Sequence, residues 1–430
     1  MEKARPVSLK EIRIRDNFWD KYRRLVREEI LKYQWCAMND QIEGAPKSHC
    51  IENFRIAAGE KQGEFYGAVF QDSDVAKWLE AVAYTLAEKP DKELKKLADS
   101  VIELIGRAQE PDGYFNTYFI LKEPGQRFRN LREGHELYTL GHMIEAAVAY
   151  KRATGEKRFL EIVQKMADLV ANTFGVEEGK SMGMPGHQEI ELALMKLYEE
   201  TGKESYKELA KYFIDVRGCG NRNYFLEEMK QKDVKRIFPE LNDYRPEYSQ
   251  SHLPVRKQRT AEGHAVRAVY MYAAMADIAA EYDDEELLGA CETLWNNMVH
   301  RRMYVTGGIG SSGILERFTA DYDLPNDYNY CESCASIGLV FCAAHDADYK
   351  KSKVCRGDGT GFVQYGSCRY CNGWKEFFLC QSVGSMATEL YGANLQRACE
   401  KCKAKVVRSS MLPGQYFKNA CVIGRIYLCL

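Results

Sequence analysis

The sequence predicts a mainly helical protein whose helices pair into hairpins that close into an α/α barrel. Three observations lead to this prediction: apolar stripes with a helical period, a Gly-His repeat at the starts of helical hairpins, and unequal spacing between the repeats. A helical hairpin cannot bury its apolar stripe alone, so it must stack on its neighbours. Long loops of unequal length between the units favour a closed barrel over a regular solenoid.

Two consecutive stretches show the helical period clearly. The stretch DSDVAKWLEAVAYTLAE places its large apolar side chains on one face, namely Val75, Trp78, Leu79, Val82 and Leu86. Asp72 or Ser73 is expected to cap the start of this helix. The stretch KELKKLADSVIELIGRAQ has its own stripe of Leu94, Leu97, Val101, Leu104 and Ile105. Pro111, Asp112 and Gly113 then predict a turn after the second helix.

A degenerate repeat follows, with the dipeptide Gly-His at positions 134, 186 and 263, each before a helix, a short break and a second helix. It places His135, His187 and His264 at equivalent helix starts. A single histidine in such a position more often caps or packs locally. Three histidines at one structural position favour convergence on one mouth of the barrel, where imidazoles can hydrogen-bond a polar ligand.

The stretch from Met303, MYVTGGIGSSGILERFTADYDLPNDYNYCESCASIG, concentrates groups that can carry chemistry. Its glycines lack the strand-then-helix setting of a phosphate-binding loop, so a nucleotide site is disfavoured. Cys331, Glu332 and Cys334 are consistent with part of a site for a soft metal ion. On composition alone, a polar loop followed by buried cysteines is the more common arrangement.

These motifs resemble a known family over about residues 5–341. The segments QDSDVAKWLEA, DGYFNTYF, GHELYTLGHMIEAAVAY, GMPGHQEIELAL, EGHAVRAVYMY, YVTGGIGSS and DYDLPNDYNYCESCASIG are similar to those of glycoside hydrolase family 127, the β-L-arabinofuranosidases formerly classed as DUF1680. The resemblance implies an (α/α)6 barrel followed by β-sandwich domains, which agrees with the hairpin pattern.

The resemblance also implies an unusual retaining mechanism. Most glycosidases use two carboxylates, whereas this family uses a cysteine thiolate as nucleophile and a glutamate as general acid/base. The thiolate is bound to a zinc ion held by one Glu and three Cys. The acid/base matches Glu316, and two zinc ligands match Glu332 and Cys334. The substrate-contacting histidines of the family match His135, His187 and His264.

The other half of the family site is expected in a CCP stretch that follows a YVNP segment, and this chain contains neither. Degenerate back-translation of the tail, shifted forward by one nucleotide, permits both. Met386-Ala387 then forces a tryptophan and Met411-Leu412 forces a cysteine, where the family would have them. We therefore expect the chain to leave its reading frame near Phe341–Ala344. Residues 1–341 would be an incomplete catalytic barrel, and residues 342–430 an out-of-frame tail without a native domain.

Two alternatives to this interpretation remain. The tail contains CRYC at Cys368–Cys371 and CEKC at Cys399–Cys402, a spacing typical of zinc ribbons, so the protein could be a non-catalytic barrel with a ribbon tail. The frame shift accounts for these cysteines and for the loss of helical period with one event, and we prefer it. The other alternative is a different α/α-barrel sugar enzyme, such as an epimerase.

Charge and hydropathy limit the partners. The chain has 60 basic and 62 acidic residues, which gives no sign of nucleic-acid binding. No apolar run is long enough to predict a membrane span, and the charged N-terminus does not resemble a signal peptide. We therefore expect a cytoplasmic protein with a carbohydrate substrate, zinc in the intact family site, and a homodimer as one possible assembly. The family's C-terminal β-sandwich region is expected to be missing, and without the thiolate nucleophile this chain is expected to be inactive.

Overall fold

The computed structural model describes residues 17–342, with the side chain of residue 18 left aside, so nearly all of the tail lies outside the described residues. The N-terminal helices are α1 (Asn17–Leu25), α2 (Leu31–Met38), α3 (Cys50–Ala57), α4 (Asp72–Glu88), α5 (Lys92–Ala108) and α6 (Thr117–Leu121). The later helices are α7 (Glu136–Thr154), α8 (Arg158–Thr173), α9 (Ile190–Thr201), α10 (Glu204–Val216), α11 (Tyr224–Glu228), α12 (Ala265–Tyr282), α13 (Glu285–Arg301) and α14 (333–342). A π-helical turn, Val26–Ile30, joins α1 to α2.

Among the described helices, four hairpins belong to the wall of an α/α barrel: α4 with α5, α7 with α8, α9 with α10, and α12 with α13. The first helix of each hairpin packs against the first helix of the next, which makes an inner row of α4, α7, α9 and α12. The second helices lie outside, where α8 packs between α5 and α10. The mainly helical α/α-barrel fold predicted from the sequence is thereby confirmed.

The inner and outer helices differ in how much of their surface is buried. The outer helix α5 buries one stripe that includes Val101, Leu104 and Ile105, as its apolar period predicts, while Leu94 and Leu97 are half-buried. The inner helix α4 is buried nearly all round, because the neighbouring helices cover its sides and the barrel interior covers its polar face. Its buried residues therefore include Lys77 and Glu80 beside the predicted apolar stripe. Polar groups on inner helices consequently line the interior of the barrel.

The predicted cap of α4 is wrong. The N-cap position is Gln71, which makes no capping hydrogen bond through its side chain. The carboxylate of Asp72 instead accepts hydrogen bonds from the amide (2.7 Å) and hydroxyl (2.6 Å) of Thr117, at the start of α6. A buried tertiary contact has thus replaced the local capping interaction, since both carboxylate oxygens are used by a residue distant in the sequence.

The last described helix, α14, packs against the C-terminal inner helices. A side chain at Gly338 would place its Cβ 2.3 Å from Val269 of α12, so only glycine permits this approach. The ammonium of Lys196, on α9, lies 5.4 Å from the ring centre of Phe341. The start of α14 therefore lies at the same end of the barrel as the start of α12. No helix between residues 17 and 342 is long and apolar enough to cross a membrane.

Candidate active site

The three histidines of the Gly-His repeat lie next to one another at the N-terminal ends of the inner helices. His135 directly precedes α7, His264 directly precedes α12, and His187 lies three residues before α9. The ring centres of His135 and His187 are 5.7 Å apart, and those of His187 and His264 are 5.5 Å apart. His187 and His264 are 4% exposed, and His135 is half-buried. The repeat therefore brings three imidazoles into one row at the mouth of the barrel.

Backbone contacts decide which ring nitrogen carries the proton in each imidazole. Nδ1 of His135 lies 2.6 Å from the carbonyl of Glu133, and Nδ1 of His187 lies 2.8 Å from the carbonyl of Gln188. A carbonyl only accepts, so Nδ1 carries the proton in both rings and Nε2 is an acceptor when the ring is neutral. In His264 the Nδ1 atom accepts from the Val266 amide at 3.2 Å, so Nε2 carries the proton. The row therefore combines two acceptors with one donor.

Glu316 lies at the donor end of this row. Its Oε2 atom is 2.8 Å from Nε2 of His264, and its side chain is 20% exposed. The loop is held there by antiparallel pairing of Arg317 with His264, and by a 2.9 Å hydrogen bond from the Phe318 amide to the Gly263 carbonyl. A partly exposed carboxylate fixed by a proton-bearing imidazole is suited to accept and deliver a proton at the mouth.

The backbone of the Glu316 turn is strained. Leu315 has φ 60° and Glu316 has φ 51°, and both are residues with a Cβ in the left-handed region. Such conformations cost free energy and persist only where surrounding contacts determine them. The pairing between Arg317 and His264 supplies those contacts here. The turn presents Glu316 to the histidine row at the expense of local backbone stability.

The glycines of the repeat have a packing reason. A Cβ at Gly263 would lie 1.9 Å from the carbonyl oxygen of Glu247, and one at Gly186 would lie 2.4 Å from the carbonyl oxygen of Leu131. Another backbone segment therefore passes directly over the residue before the histidine. Only glycine admits this approach. The Gly-His dipeptide therefore marks a place at the mouth where two backbone segments of the chain cross.

Glu332 and Cys334 lie close to this end of the barrel. The Tyr330 amide donates to the Gly310 carbonyl at 3.0 Å, and a Cβ at Gly310 would lie 3.5 Å from the Cβ of Ala265 at the start of α12. Glu332 is half-buried immediately before α14, and Cys334 is 4% exposed in its first turn. Carboxylate and thiolate are donors that zinc accepts, but a protein zinc site needs three or four of them. Within residues 17–342, Glu332 and Cys334 belong to no group of three ligands. The described residues therefore provide donor types that zinc binds, but too few of them to complete a site.

The part of the chain that the structure describes contains one other group that could hold a metal ion. His142, Glu145 and Glu189 are buried, and their ligand atoms lie within 4.8 Å of one another. Nδ1 of His142 is 3.1 Å from Oε1 of Glu189. Nζ of Lys196 is 2.5 Å from Oε1 of Glu145. Because Lys196 brings positive charge to Glu145 and His142 lies against Glu189, a buried polar network accounts for the group without a metal ion.

Comparison with known proteins identifies the family. Residues 11–347 match the family model described as the β-L-arabinofuranosidase GH127 catalytic domain, which is most of the chain. The chain belongs to the GH127 family. The resemblance inferred from the motifs is confirmed.

Several GH127 relatives are similar to this chain. A curated non-reducing-end β-L-arabinofuranosidase of Bifidobacterium longum subsp. longum is 45% identical over 353 residues, which cover 78% of this chain and 54% of the relative. The crystal structure of a GH127 β-L-arabinofuranosidase from Geobacillus stearothermophilus T6 matches with a TM-score of 0.83 and 49% identity, over 97% of this chain and 65% of that one. A second GH127 structure, a β-arabinofuranosidase, matches with a TM-score of 0.71 and 37% identity, over 80% and 51% of the two chains. The chain thus spans about half to two thirds of the length of these relatives.

Sequence reasoning missed two buried residues beneath the histidines of this GH127 barrel. The ring centre of Tyr138 lies 4.4 Å from that of His187 and 5.5 Å from that of His135. The Tyr138 hydroxyl accepts a 3.0 Å hydrogen bond from Nζ of Lys77, which also donates to the Ser73 hydroxyl at 3.0 Å. The available signal was helical spacing: Tyr138 lies three residues after His135 on α7, and therefore on the same face.

Burial also alters the acidity of a carboxyl group next to the row. Burial raises the pKa of the Glu136 carboxyl to about 8, although hydrogen bonds from the Tyr114 hydroxyl (2.5 Å) and the Phe128 amide (2.8 Å) oppose the rise. The amide contact joins the loop before α7 to the first residue of that helix. Glu136 thereby helps to fix the segment that carries His135.

Proposed function

We propose that this chain carries the catalytic barrel of a retaining glycoside hydrolase that releases terminal β-L-arabinofuranose or a related sugar. The observation that carries the proposal is the 2.8 Å contact between Glu316 and His264 at the end of the histidine row. At this position a carboxylate that can exchange protons adjoins a row of imidazoles, a group that can hydrogen-bond sugar hydroxyls. The curated relative from Bifidobacterium longum is named for this activity.

Glu316 would act twice in the reaction. In the first step the bond between the anomeric carbon and the leaving oxygen breaks, a cysteine thiolate bonds to that carbon, and Glu316 gives its proton to the leaving oxygen. In the second step Glu316 takes a proton from water, the water oxygen bonds to the anomeric carbon, and the thiolate leaves. Two displacements at one carbon retain its configuration.

The histidines would orient the sugar for both steps. Nε2 of His135 and of His187 would accept hydrogen bonds from sugar hydroxyls, since Nδ1 of each ring donates to a backbone carbonyl. The Nε2–H of His264 would hold the Glu316 carboxylate in place. Glu332 and Cys334 would supply two of the four ligands of the zinc site. Zinc, when bound, keeps a coordinating thiol deprotonated, but the described residues do not complete its ligand set.

We further propose that the nucleophile is encoded in another reading frame and that the chain as it stands is inactive. The family match ends at residue 347, close to the position near Phe341–Ala344 where we place the frame change. The tail cysteines of the alternative zinc ribbon, Cys368–Cys371 and Cys399–Cys402, lie outside the described residues. A cytoplasmic location and a homodimer remain predictions.

Resequencing the coding DNA across codons 335–350, followed by activity assays, tests the proposal. The present chain should not hydrolyse an aryl β-L-arabinofuranoside above background, and a chain restored by one nucleotide should. In the restored chain, Glu316→Gln should lower the rate with a poor leaving group by roughly two to four orders of magnitude. The loss should be smaller with an activated leaving group, which needs no proton. A restored chain that is inert on furanosides and pyranosides alike would contradict the proposed substrate class.

A further inference from the structure

A fourth histidine has the same backbone conformation as His135. His49 directly precedes α3 with φ 54° and ψ 13°, and His135 directly precedes α7 with φ 55° and ψ 19°. Both are in the left-handed region, which residues with a Cβ enter only when other contacts determine it. His49 follows a serine rather than a glycine, so the Gly-His repeat does not reveal it.

Asp40 holds His49 in this conformation. Its Oδ1 atom accepts hydrogen bonds from the amides of Ser48 (2.6 Å) and His49 (3.0 Å), and its Oδ2 atom lies 2.8 Å from Nδ1 of His49. The imidazole thus faces the Asp40 carboxylate through its Nδ1 edge, so its Nε2 edge points away from Asp40. The imidazole keeps 23% of its side-chain surface exposed.

An exposed aromatic ring lies beside this imidazole. The ring centre of Tyr66 is 4.8 Å from that of His49, and Tyr66 is 50% exposed. The backbone of Tyr66 is fixed by the fully buried Asn53 of α3, whose amide nitrogen donates to the Tyr66 carbonyl (2.9 Å) and whose oxygen accepts from the Tyr66 amide (3.1 Å). A large ring held at the surface by a buried side chain is a prearranged contact surface. An apolar ring face beside a hydrogen-bonding group matches a sugar, which has both C–H faces and hydroxyls.

The chain places this pair at the mouth of the barrel. Tyr66 lies four residues before Phe70, and the ring centre of Phe70 is 5.3 Å from that of His135. The start of α3 is tied to the start of the inner helix α4, because Sγ of Cys50 lies 3.7 Å from the carbonyl of Gln71. His49 and Tyr66 therefore lie at the same end of the barrel as the histidine row, on the side of His135.

We propose that His49 and Tyr66 form a second sugar-binding subsite. It takes the sugar residue to which the terminal arabinofuranose is bonded, and in this it rests on the proposed function. An enzyme that removes a terminal sugar places that sugar in its pocket, so further units of the glycan extend over the mouth. The ring of Tyr66 packs against the second sugar while the imidazole of His49 hydrogen-bonds one of its hydroxyls. Asp40 and Asn53 position the two side chains.

Calorimetric titration of the full chain with two ligands tests the subsite. All proteins carry Glu316→Gln, so that no ligand is consumed. Methyl β-L-arabinofuranoside occupies the pocket alone, whereas a disaccharide ending in β-L-arabinofuranose occupies the pocket and the subsite. His49→Asn keeps a residue that tolerates the left-handed conformation, and Tyr66→Leu removes the ring. Each should weaken disaccharide binding by about fivefold to tenfold, the loss typical of one hydrogen bond or one stacked ring, and leave binding of the methyl glycoside unchanged.

Matched substitutions on the outer helices control for general effects. His300→Asn on α13 and Tyr212→Leu on α10 should change neither affinity, and circular dichroism confirms that each variant is folded. Unchanged disaccharide binding in both His49→Asn and Tyr66→Leu overturns the subsite alone. Equal weakening of both ligands also overturns it, because the residues would then act on the pocket. If a folded Glu316→Gln chain binds neither ligand, the proposed function fails and the subsite fails with it.

Discussion

Nε2 of His264 lies 2.8 Å from Oε2 of Glu316, and it carries the proton because Nδ1 of the same ring accepts from the Val266 amide. The imidazole therefore donates to the carboxylate and fixes its direction. Glu316 stands on a turn with two left-handed residues, so its position depends on this contact and on the pairing of Arg317 with His264. The acid/base candidate and one of the substrate-binding candidates thus form a single structural unit.

Replacement of His264 should show whether its imidazole positions Glu316 or binds the sugar. In the frame-restored chain, His264→Ala should lower kcat by roughly 10- to 100-fold, the cost expected for a misplaced reacting group. The loss should be larger with poor leaving groups than with activated ones, since only the former need the proton of Glu316. Steady-state kinetics with both kinds of aryl glycoside measure this. A change confined to KM, equal for the two substrates, would show that His264 binds sugar without orienting Glu316.

Zinc binding should depend on the reading frame. With two ligands in the described residues, the dialysed chain should hold well under one zinc, because affinity falls steeply when a four-ligand site loses half of its donors. The frame-restored chain should hold one zinc, and Cys334→Ser should remove most of it. Metal analysis by mass spectrometry measures both, with Cys291→Ser as the control for a buried cysteine on α13. Stoichiometric zinc that is lost from the present chain in Cys368→Ser/Cys371→Ser would favour the zinc ribbon instead.

Asp321 should stabilise the loop that carries Glu316 in a manner that depends on pH. Burial works to raise the pKa of its carboxyl, but hydrogen bonds from Arg302 (2.7 Å) and Asn297 (3.0 Å) outweigh burial and lower the pKa from 3.8 to about 2. The stabilisation is therefore complete above about pH 4 and is lost as the pH falls through 2. Asp321→Asn should lower the free energy of unfolding at pH 6, and the difference from the parent should shrink toward pH 2.

Urea unfolding at a series of pH values measures this difference. Exposed Asp283, which follows the last residue of α12 at the opposite end from His264, provides the matched control as Asp283→Asn. A difference between Asp321→Asn and the parent that stays constant from pH 6 to pH 2 would contradict the ionic origin of the stabilisation. Faster proteolysis between Gly307 and Pro325 in Asp321→Asn would show that the effect is local to the loop.

Glu136 should show the opposite pH dependence. Its pKa is raised from 4.5 to about 8 by burial, so the unfolded chain releases this proton at lower pH than the folded chain. Its contribution to stability is complete below about pH 4.5 and is lost as the pH rises through 8. Glu136→Gln keeps the shape of the neutral acid, so the variant should gain stability relative to the parent as the pH rises from 5 to 8. Chemical denaturation at pH 5, 6.5 and 8 measures the gain, and a difference that does not vary with pH would contradict it.

The hydrogen bond between Lys77 and Tyr138 should appear as an energetic coupling. Lys77→Met and Tyr138→Phe each remove one end of the same 3.0 Å contact, so their effects on the free energy of unfolding should not add. We expect a coupling of roughly 0.5–3 kcal/mol in a double-mutant cycle, the range typical of residues in contact. The pair of Lys151→Met with Tyr138→Phe should be additive, because Lys151 binds Glu200 at the far end of α7. Additive effects in the Lys77 cycle would show that the contact contributes nothing measurable.

The sequence could predict features that depend on neighbours within a few residues. The apolar stripe of α5 appears in the structure as predicted, because an outer helix meets the core on one side only. The turn at Gly113 appears where it was expected, with φ 96°. The Gly-His repeat also predicted three imidazoles at equivalent helix starts, which lie together because equivalent ends of stacked hairpins face the same way.

Other features depend on residues far apart in the sequence, and only the tertiary structure decided them. Asp72 was expected to cap its own helix, but it binds Thr117, since burial of both groups makes that contact more favourable than a local one. His49 carries no repeat signal, and its resemblance to His135 is a matter of backbone angles. The sequence by itself determined the helices, the hairpins and the family, because these follow from local periodicity and motifs. Packing of the barrel decided which polar residues meet at its mouth, because hydrogen bonds between distant segments form only when the closed wall brings them within about 3 Å.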